Sequence, residues 1–223
     1  MNWLPLLITF KLALITTLFL LVICIPLSYK ISGFSNWSSS FLESLFSLPL
    51  VLPPTVIGFY LLQAFSPNNP IGSFLKDTLG IKLLFSFEGL VVGSIIYSFP
   101  FMFQPIVNGF RKIPPQLLHA SALMGKSKFQ TFYKISLPFI QKSIFTGCIM
   151  TFAHTVGEFG VVLMIGGNIP GVTQVASIAI YDEVEMMNFT AANQYSITLL
   201  IFSFLILFFM FIIQRKNQNH DTN

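Results

Sequence analysis

The chain has 223 residues, 54% of them apolar and only 9% charged, where a soluble domain carries roughly 25% charged residues. So few charges cannot cover a water-facing surface, and most of this surface must face lipid. The net charge of +4 does not mark a nucleic-acid binder, because the basic residues cluster beside apolar runs, as the positive-inside rule expects.

The length suits about five or six membrane helices of ~20 residues with short loops, and an all-α integral membrane fold follows. Five segments pass the length test for a spanning helix: 7–29, 45–65, 85–106, 139–165 and 195–213. Together they make a single transmembrane domain over 1–223. No basic residue precedes Lys11 and no small-residue cleavage site follows the first apolar run, so the first span is read as retained. Cys24 and Cys148 both lie inside apolar runs, which argues against a disulfide framework.

The first span carries Lys11 near one end and Pro26 near the other. A short polar linker, 35–40, leads to the uncharged second span, which holds Pro49 and the pair Pro53-Pro54. Prolines remove backbone donors and bend or break a helix. Thr55 and Gly58 follow that break. Pro53, Pro54, Thr55 and Gly58 then form either a bend that aids packing or part of a pathway or gate. In the second reading an interrupted helix turns its backbone donors towards an anion at membrane depth. The third span has Glu88 near one end and Pro100 within.

The loops set the orientation. Segment 107–138 carries Arg111, Lys112, Lys126, Lys128 and Lys134 with no acidic residue, and the tail carries Arg215 and Lys216. Segment 166–194 carries Asp182, Glu183 and Glu185 with no basic residue. Basic residues near span ends stay in the cytoplasm, which places the N-terminus outside and the C-terminus in the cytoplasm. Lys76 and Lys82 in the outer loop 66–84 oppose the rule and are outvoted.

Within 107–138, Pro114-Pro115 opens a short helix over 116–124, and Gly125 is placed to end it with positive φ. A second helical stretch, 126–136, has apolar Phe129, Phe132, Tyr133 and Ile135 before Leu137-Pro138 turns the chain towards the fourth span. This is a short helix outside the membrane on a helix-turn-helix, a shape suited to a partner's groove. Gly125-Lys126-Ser127 mimics the end of a nucleotide loop, but the required earlier glycine is Ala120. The chain has no soluble domain large enough for an ATPase, so energy must come from another subunit.

The fourth span contains Glu158, with His154 four residues earlier on the same face of a continuous helix. An ionisable side chain in a span usually faces the bundle interior. Three roles stand open: a structural partner for a basic or amide group, a gate, or a metal or proton site with His154. Two ligands are too few for a convincing metal site, and none is assigned. Residues 166–171 form a plain outer turn or a docking surface, and Asp182, Glu183 and Glu185 are expected on a solvated outer face.

His119-Ala120-Ser121, Gly125, Ile135, Leu137 and Pro138 resemble the "EAA" loop of ABC importer permeases. That pattern runs Glu-Ala-Ala, three residues, Gly, nine residues, Ile, one residue, Leu-Pro. The spacing is met throughout; His119 stands where the pattern has Glu, and Ser121 where it has Ala. The run from Pro49 to Leu62, Gly157-Glu158-Phe159-Gly160, and the stretches 164–171 and 179–185 resemble the molybdate permease family in particular. Sulfate and thiosulfate permeases share the Gly-Glu-Phe-Gly element and are generally longer.

The resemblance implies a type I ABC importer permease (MetI-like) fold in a bacterial plasma (inner) membrane. It implies a homodimer, two cytoplasmic ATPase subunits that bind the ATP and Mg, and an external molybdate-binding protein. This chain would hold no cofactor and carry out no covalent chemistry. A tungstate- or sulfate-type permease is the near alternative. An ion-driven secondary transporter leaves the docking loop unexplained and calls for inverted repeats, of which there are none. An intramembrane enzyme would have to rest on His154 and Glu158.

Overall fold

Hydrocarbon offers no hydrogen-bond partner to a bare N–H or C=O, so an apolar chain of this length is driven into helices. The computed structural model describes residues 2–34 and 37–219. Among these residues the elements in chain order are α1 (Leu4–Ser32), α2 (Trp37–Ser47), α3 (Pro54–Phe65), α4 (Pro70–Leu79), α5 (Phe87–Arg111) and α6 (Pro115–Leu123). They continue as α7 (Lys128–Thr131), α8 (Leu137–Phe139), α9 (Gln141–Val156), α10 (Gly160–Gly166), α11 (Ala176–Glu185) and α12 (Phe189–Asn219). The chain past Asn219, the side chains of Arg215 and Lys216, and Ser35 and Asn36 of the expected linker lie outside the described residues.

Among the described residues, three helices are long and apolar enough to cross a membrane unbroken: Leu4–Ser32, Phe87–Arg111 and Phe189–Ile212. Two bent pairs, Trp37–Leu50 with Pro54–Phe65 at 104° and Lys128–Phe139 with Gln141–Val156 at 65°, bring the number to five if each pair is one span.

The expected second span, 45–65, is therefore no single rod. A 3-10 turn at Leu48–Leu50 ends α2, and Pro53 is extended at φ −55°, ψ 139°. A proline bars the residue before it from the helical region, so Pro54 forces Pro53 out of the helix and then starts α3 at N1. The expected fourth span, 139–165, breaks as well: α9 ends at Val156 and α10 begins at Gly160. Glu158 lies in that break, not on a continuous helix face with His154. The expected outer loops also hold structure, α4 within 66–84 and α11 within 166–194. The third span runs on to Arg111, so the basic loop starts later than position 107.

Two core clusters fix the relative directions of the helices. One cluster joins Ile8 and Leu12 of α1 to Leu90 of α5, Val162 of α10 and Ile178 of α11. A second joins Cys24 and Ile31 of α1 to Phe110 of α5, Ile113 and Ile140. Helices α1 and α5 thus run in the same direction, and α9–α10 runs against them, as alternating crossings require. Tyr195, early in α12, packs with Leu6, Ala176 and Ala179 at the end of the bundle that holds Ile8. The α12 window is only 6% buried, against 44% and 50% for the windows in α1 and α5, so one chain leaves this helix face to lipid or to another chain.

The two broken segments pack against each other. A Cβ built on Gly58 would sit 2.8 Å from Met164 Cβ and 3.3 Å from the Val161 Cα. One built on Gly160 would sit 2.9 Å from Pro54 Cβ. The α3–α10 contact is closed at both positions by the absence of a side chain. Gly58→Val is expected to overpack this contact and cost about 1–3 kcal/mol. It should lower the thermal midpoint of the detergent-solubilised protein, while Thr55→Val at an exposed neighbouring site should leave that midpoint nearly unchanged.

Candidate coupling segment and buried polar seam

The segment after α5 is a helix-turn-helix built by local capping. Pro115 occupies the first turn of α6 behind an extended Pro114. At the other end Gly125 has φ +70°, its N–H donates to the Ala122 carbonyl, and the Lys126 N–H donates to the Ser121 carbonyl. That pair of bonds is a Schellman ending with Gly125 at C′. Ser127 then caps α7, accepting from the Gln130 N–H at 3.2 Å while its own N–H donates to Gln130 Oε1 at 3.0 Å. The turn is stiffened because the backbone N–H groups of Gly125, Lys126, Ser127 and Gln130 all have partners.

Ser121 is fully buried in this turn, and its Oγ lies 2.7 Å from Thr131 Oγ1. Its replacement of alanine adds a clamp between α6 and α7 without adding much bulk. His119 and Ala120 lie on the exposed surface of α6. Leu123, Met124 and Phe129 are 89%, 64% and 70% exposed, an apolar tip around the turn. Helix α6 packs chiefly on α7 and so projects from the bundle.

Ile135, Leu137 and Pro138 belong to the return to the membrane. Residues Phe132–Ser136 form a π-turn, with the Leu137 N–H donating to the Phe132 carbonyl. Pro138 has no N–H and its ring would clash with the carbonyl four residues back; a wider turn relieves that clash. The π-turn aims Phe132 into the bundle. Its ring centroid is 4.7 Å from that of Tyr29 on α1 and 6.3 Å from that of Phe110 on α5. Arg111 anchors the start of the segment, donating to both carboxylate oxygens of Glu43 on α2, one of them at 2.8 Å. Glu43 escaped sequence reasoning; the available signal was a lone carboxylate facing a loop of basic residues.

At the break between α9 and α10 lies a polar seam. Glu158 is 4% exposed, and its Oε2 accepts from Ser94 Oγ of α5 at 2.6 Å. Its backbone carbonyl accepts from Ser177 Oγ of α11 at 2.6 Å, and its Oε1 has no partner. One turn along α5, Ser98 Oγ lies 2.9 Å from His154 Nδ1 and 3.0 Å from Thr155 Oγ1. His154 also stacks on Phe101 at 3.9 Å between centroids. His154 and Glu158 therefore take separate serine partners, and the expected basic or amide partner of Glu158 is a hydroxyl. Ser94 and Ser98, spaced to face one way on an apolar helix, were the missed signal. Among the described residues no group of three or more His, Cys, Asp or Glu is arranged to hold a metal.

The structure brings Pro54 and the Thr55 backbone against Gly160 and Gly58 against Val161 and Met164 of α10, while Pro53 stays exposed. On the outer loop, Asp182 accepts from Asn168 Nδ2 at 2.8 and 2.9 Å and from Gln174 Nε2 at 2.8 Å. Asp182 thus organises the 166–174 turn and is not a free surface charge. Glu183 accepts from Asn188 Nδ2 at 2.7 Å, and Glu185 accepts from the Tyr181 hydroxyl.

The family model described as "Binding-protein-dependent transport system inner membrane component" matches residues 25–219. The chain is 41% identical over 209 residues to the molybdenum transport system permease protein ModB of Azotobacter vinelandii, spanning 93% of this chain and 92% of that protein. It is 31% identical over 184 residues to ModB of Escherichia coli K12, spanning 82% of this chain and 80% of that one. Its fold matches a chain in the crystal structure of a bacterial ABC transporter that imports the polysaccharide alginate, with a TM-score of 0.80 and 17% identity over 96% of this chain and 78% of that chain.

Ser94→Ala would leave the Glu158 carboxylate buried without a side-chain partner, and is expected to cost about 1–3 kcal/mol. Adding Glu158→Gln in that background should recover most of the loss. Paired thermal unfolding curves of the single and double variants measure the coupling.

Proposed function

This chain belongs to the family of binding-protein-dependent transport system inner membrane components, and from that premise we propose that it is the permease of an ATP-driven molybdate importer. The observation that carries the ATPase-docking part is the projecting helix α6. Its apolar tip at Leu123, Met124 and Phe129 is exposed to water, yet capping at Gly125 and Ser127 holds it rigid. An exposed apolar helix on a rigid stem is a surface for a partner's groove. The relatives at 41% and 31% identity are named as molybdenum transport system permeases, and alignment over at least 80% of each chain favours molybdenum, as its oxyanion molybdate, as the cargo here.

In this reading two copies of the chain pair in a bacterial inner membrane, with the α6 end in the cytoplasm and the N-terminus outside. The basic residues Arg111, Lys112, Lys126, Lys128 and Lys134 around α6 favour that orientation. Two ATPase subunits bind ATP and Mg and take α6 into their grooves. A molybdate-binding protein delivers cargo at the opposite face. Closure of the ATPases moves α6, and the Phe132 wedge carries the motion to α1 and α5. Helix α9 carries it to the Glu158 break, where α3 and α10 pack. This chain contributes geometry and no covalent step.

Reconstituted with its ATPase and binding protein in liposomes, the permease should take up labelled molybdate only with ATP. Unlabelled tungstate should compete, and excess sulfate should not. ATP-dependent uptake of sulfate with no uptake of molybdate would reassign the cargo. Leu123→Asp is expected to weaken co-purification of the ATPase by roughly tenfold or more, since a single desolvated apolar anchor is worth ~2 kcal/mol, while leaving the permease folded.

A further inference from the structure

A cavity of about 640 Å³ lies between the Ser32 end of α1, the Arg111 end of α5 and the helix-turn-helix that carries α6. Lys30 and Arg111 line one wall, and Lys126 and Lys128 line the other. Glu43 engages Arg111, and among the described residues no carboxylate forms an ion pair with Lys30, Lys126 or Lys128. Helix dipoles account for Lys30 and Arg111 and, just past the end of α6, for Lys126, but not for Lys128. Lys30 and Arg111 sit in last turns, where a cation complements the helix dipole. Lys128 sits at the first position of α7, directly behind its N-cap Ser127, where a positive charge opposes the dipole. A separate observation points the same way. Ser136 lines this cavity with 0% exposure, and its hydroxyl has no hydrogen-bond partner.

We infer that this cavity binds a phosphate-class tetrahedral oxyanion group, carried by an anionic phospholipid headgroup or by a free oxyanion. Lysine meets such a group as a point charge, and the Ser136 hydroxyl would donate to one of its oxygens. Lys126 belongs to the Gly125-Lys126-Ser127 fragment that fails as a nucleotide loop, and here it serves an anion without nucleotide specificity. Because one wall is the bundle and the other is the stem of α6, an occupant ties the two together and sets the stance of α6. The site is separate from the cargo assignment, and its occupancy is read without any transport step.

The test uses the permease–ATPase complex in nanodiscs. In one arm the nanodiscs are phosphatidylcholine doped with phosphatidylglycerol, and native mass spectrometry counts retained phosphatidylglycerol. In the other they are phosphatidylcholine alone, with radiolabelled inorganic phosphate in solution. Retention is expected in at least one arm, and the arm identifies the source. The Lys126→Gln/Lys128→Gln pair should weaken it by roughly tenfold or more, and Ser136→Ala should weaken it further. The Lys76→Gln/Lys82→Gln pair, placed at the opposite end of the bundle, should leave it unchanged. No retention in either arm, equal retention by the Lys126/Lys128 variant, or an equal loss in the Lys76/Lys82 control would overturn the site.

Discussion

A backbone that leaves its helix inside hydrocarbon must find new hydrogen-bond partners within the protein, and the rest of this fold is arranged around that constraint. The chain leaves its helix within two apolar segments, at 51–53 and at 157–159. The helices that follow the two breaks pack against each other. Gly58 and Gly160 let α3 and α10 approach to backbone contact, while Val51 and Pro53 of the first break stay exposed. The second break is further held by Ser94 on the Glu158 side chain and by Ser177 on its carbonyl. A carboxylate in a span is expensive, and here its location in the break puts it within reach of two helices at once.

The projecting α6–α7 segment is held by a different device. There the stiffness comes from caps: the Schellman ending at Gly125, the capping box at Ser127 and the Ser121–Thr131 clamp. Pro138 widens the following turn and so places Phe132 between Tyr29 and Phe110. The stem of α6 is thereby wedged into the core cluster that α1 and α5 share. Helix α9, with 16 residues and about 24 Å of length, then joins the coupling end to the polar seam. On the proposed transport reading, these are the parts through which ATPase closure reaches the cargo pathway.

The turn between α6 and α7 was legible in sequence because its signals are local. Pro115 and Gly125 bound a helix by backbone conformation alone, and both ends fall within a residue of the expected 116–124. Apolar length likewise located α1, α5 and α12, though each runs three or more residues beyond one or both expected ends because polar caps do not register as hydropathy. Long-range pairing was not legible. Glu158 stood out as a charge in an apolar run, but the break around it depends on Ser94 and Ser177, far away in sequence. The His154–Glu158 pairing failed for the same reason, since it assumed a continuous helix through Gly157. Asp182 read as a surface charge because its partners, Asn168 and Gln174, are recruited by the fold of the outer turn.

On the proposed transport reading, motion of α6 enters the bundle through Phe132. The direct measurement is the number of molybdate ions imported per ATP hydrolysed in proteoliposomes, compared between the unaltered transporter and Phe132→Ala. Because α6 and its caps are untouched, ATPase docking and ATP hydrolysis should persist while import per ATP falls by roughly tenfold, in line with a coupling energy of ~1–3 kcal/mol. An unchanged import ratio with docking intact would contradict the claim.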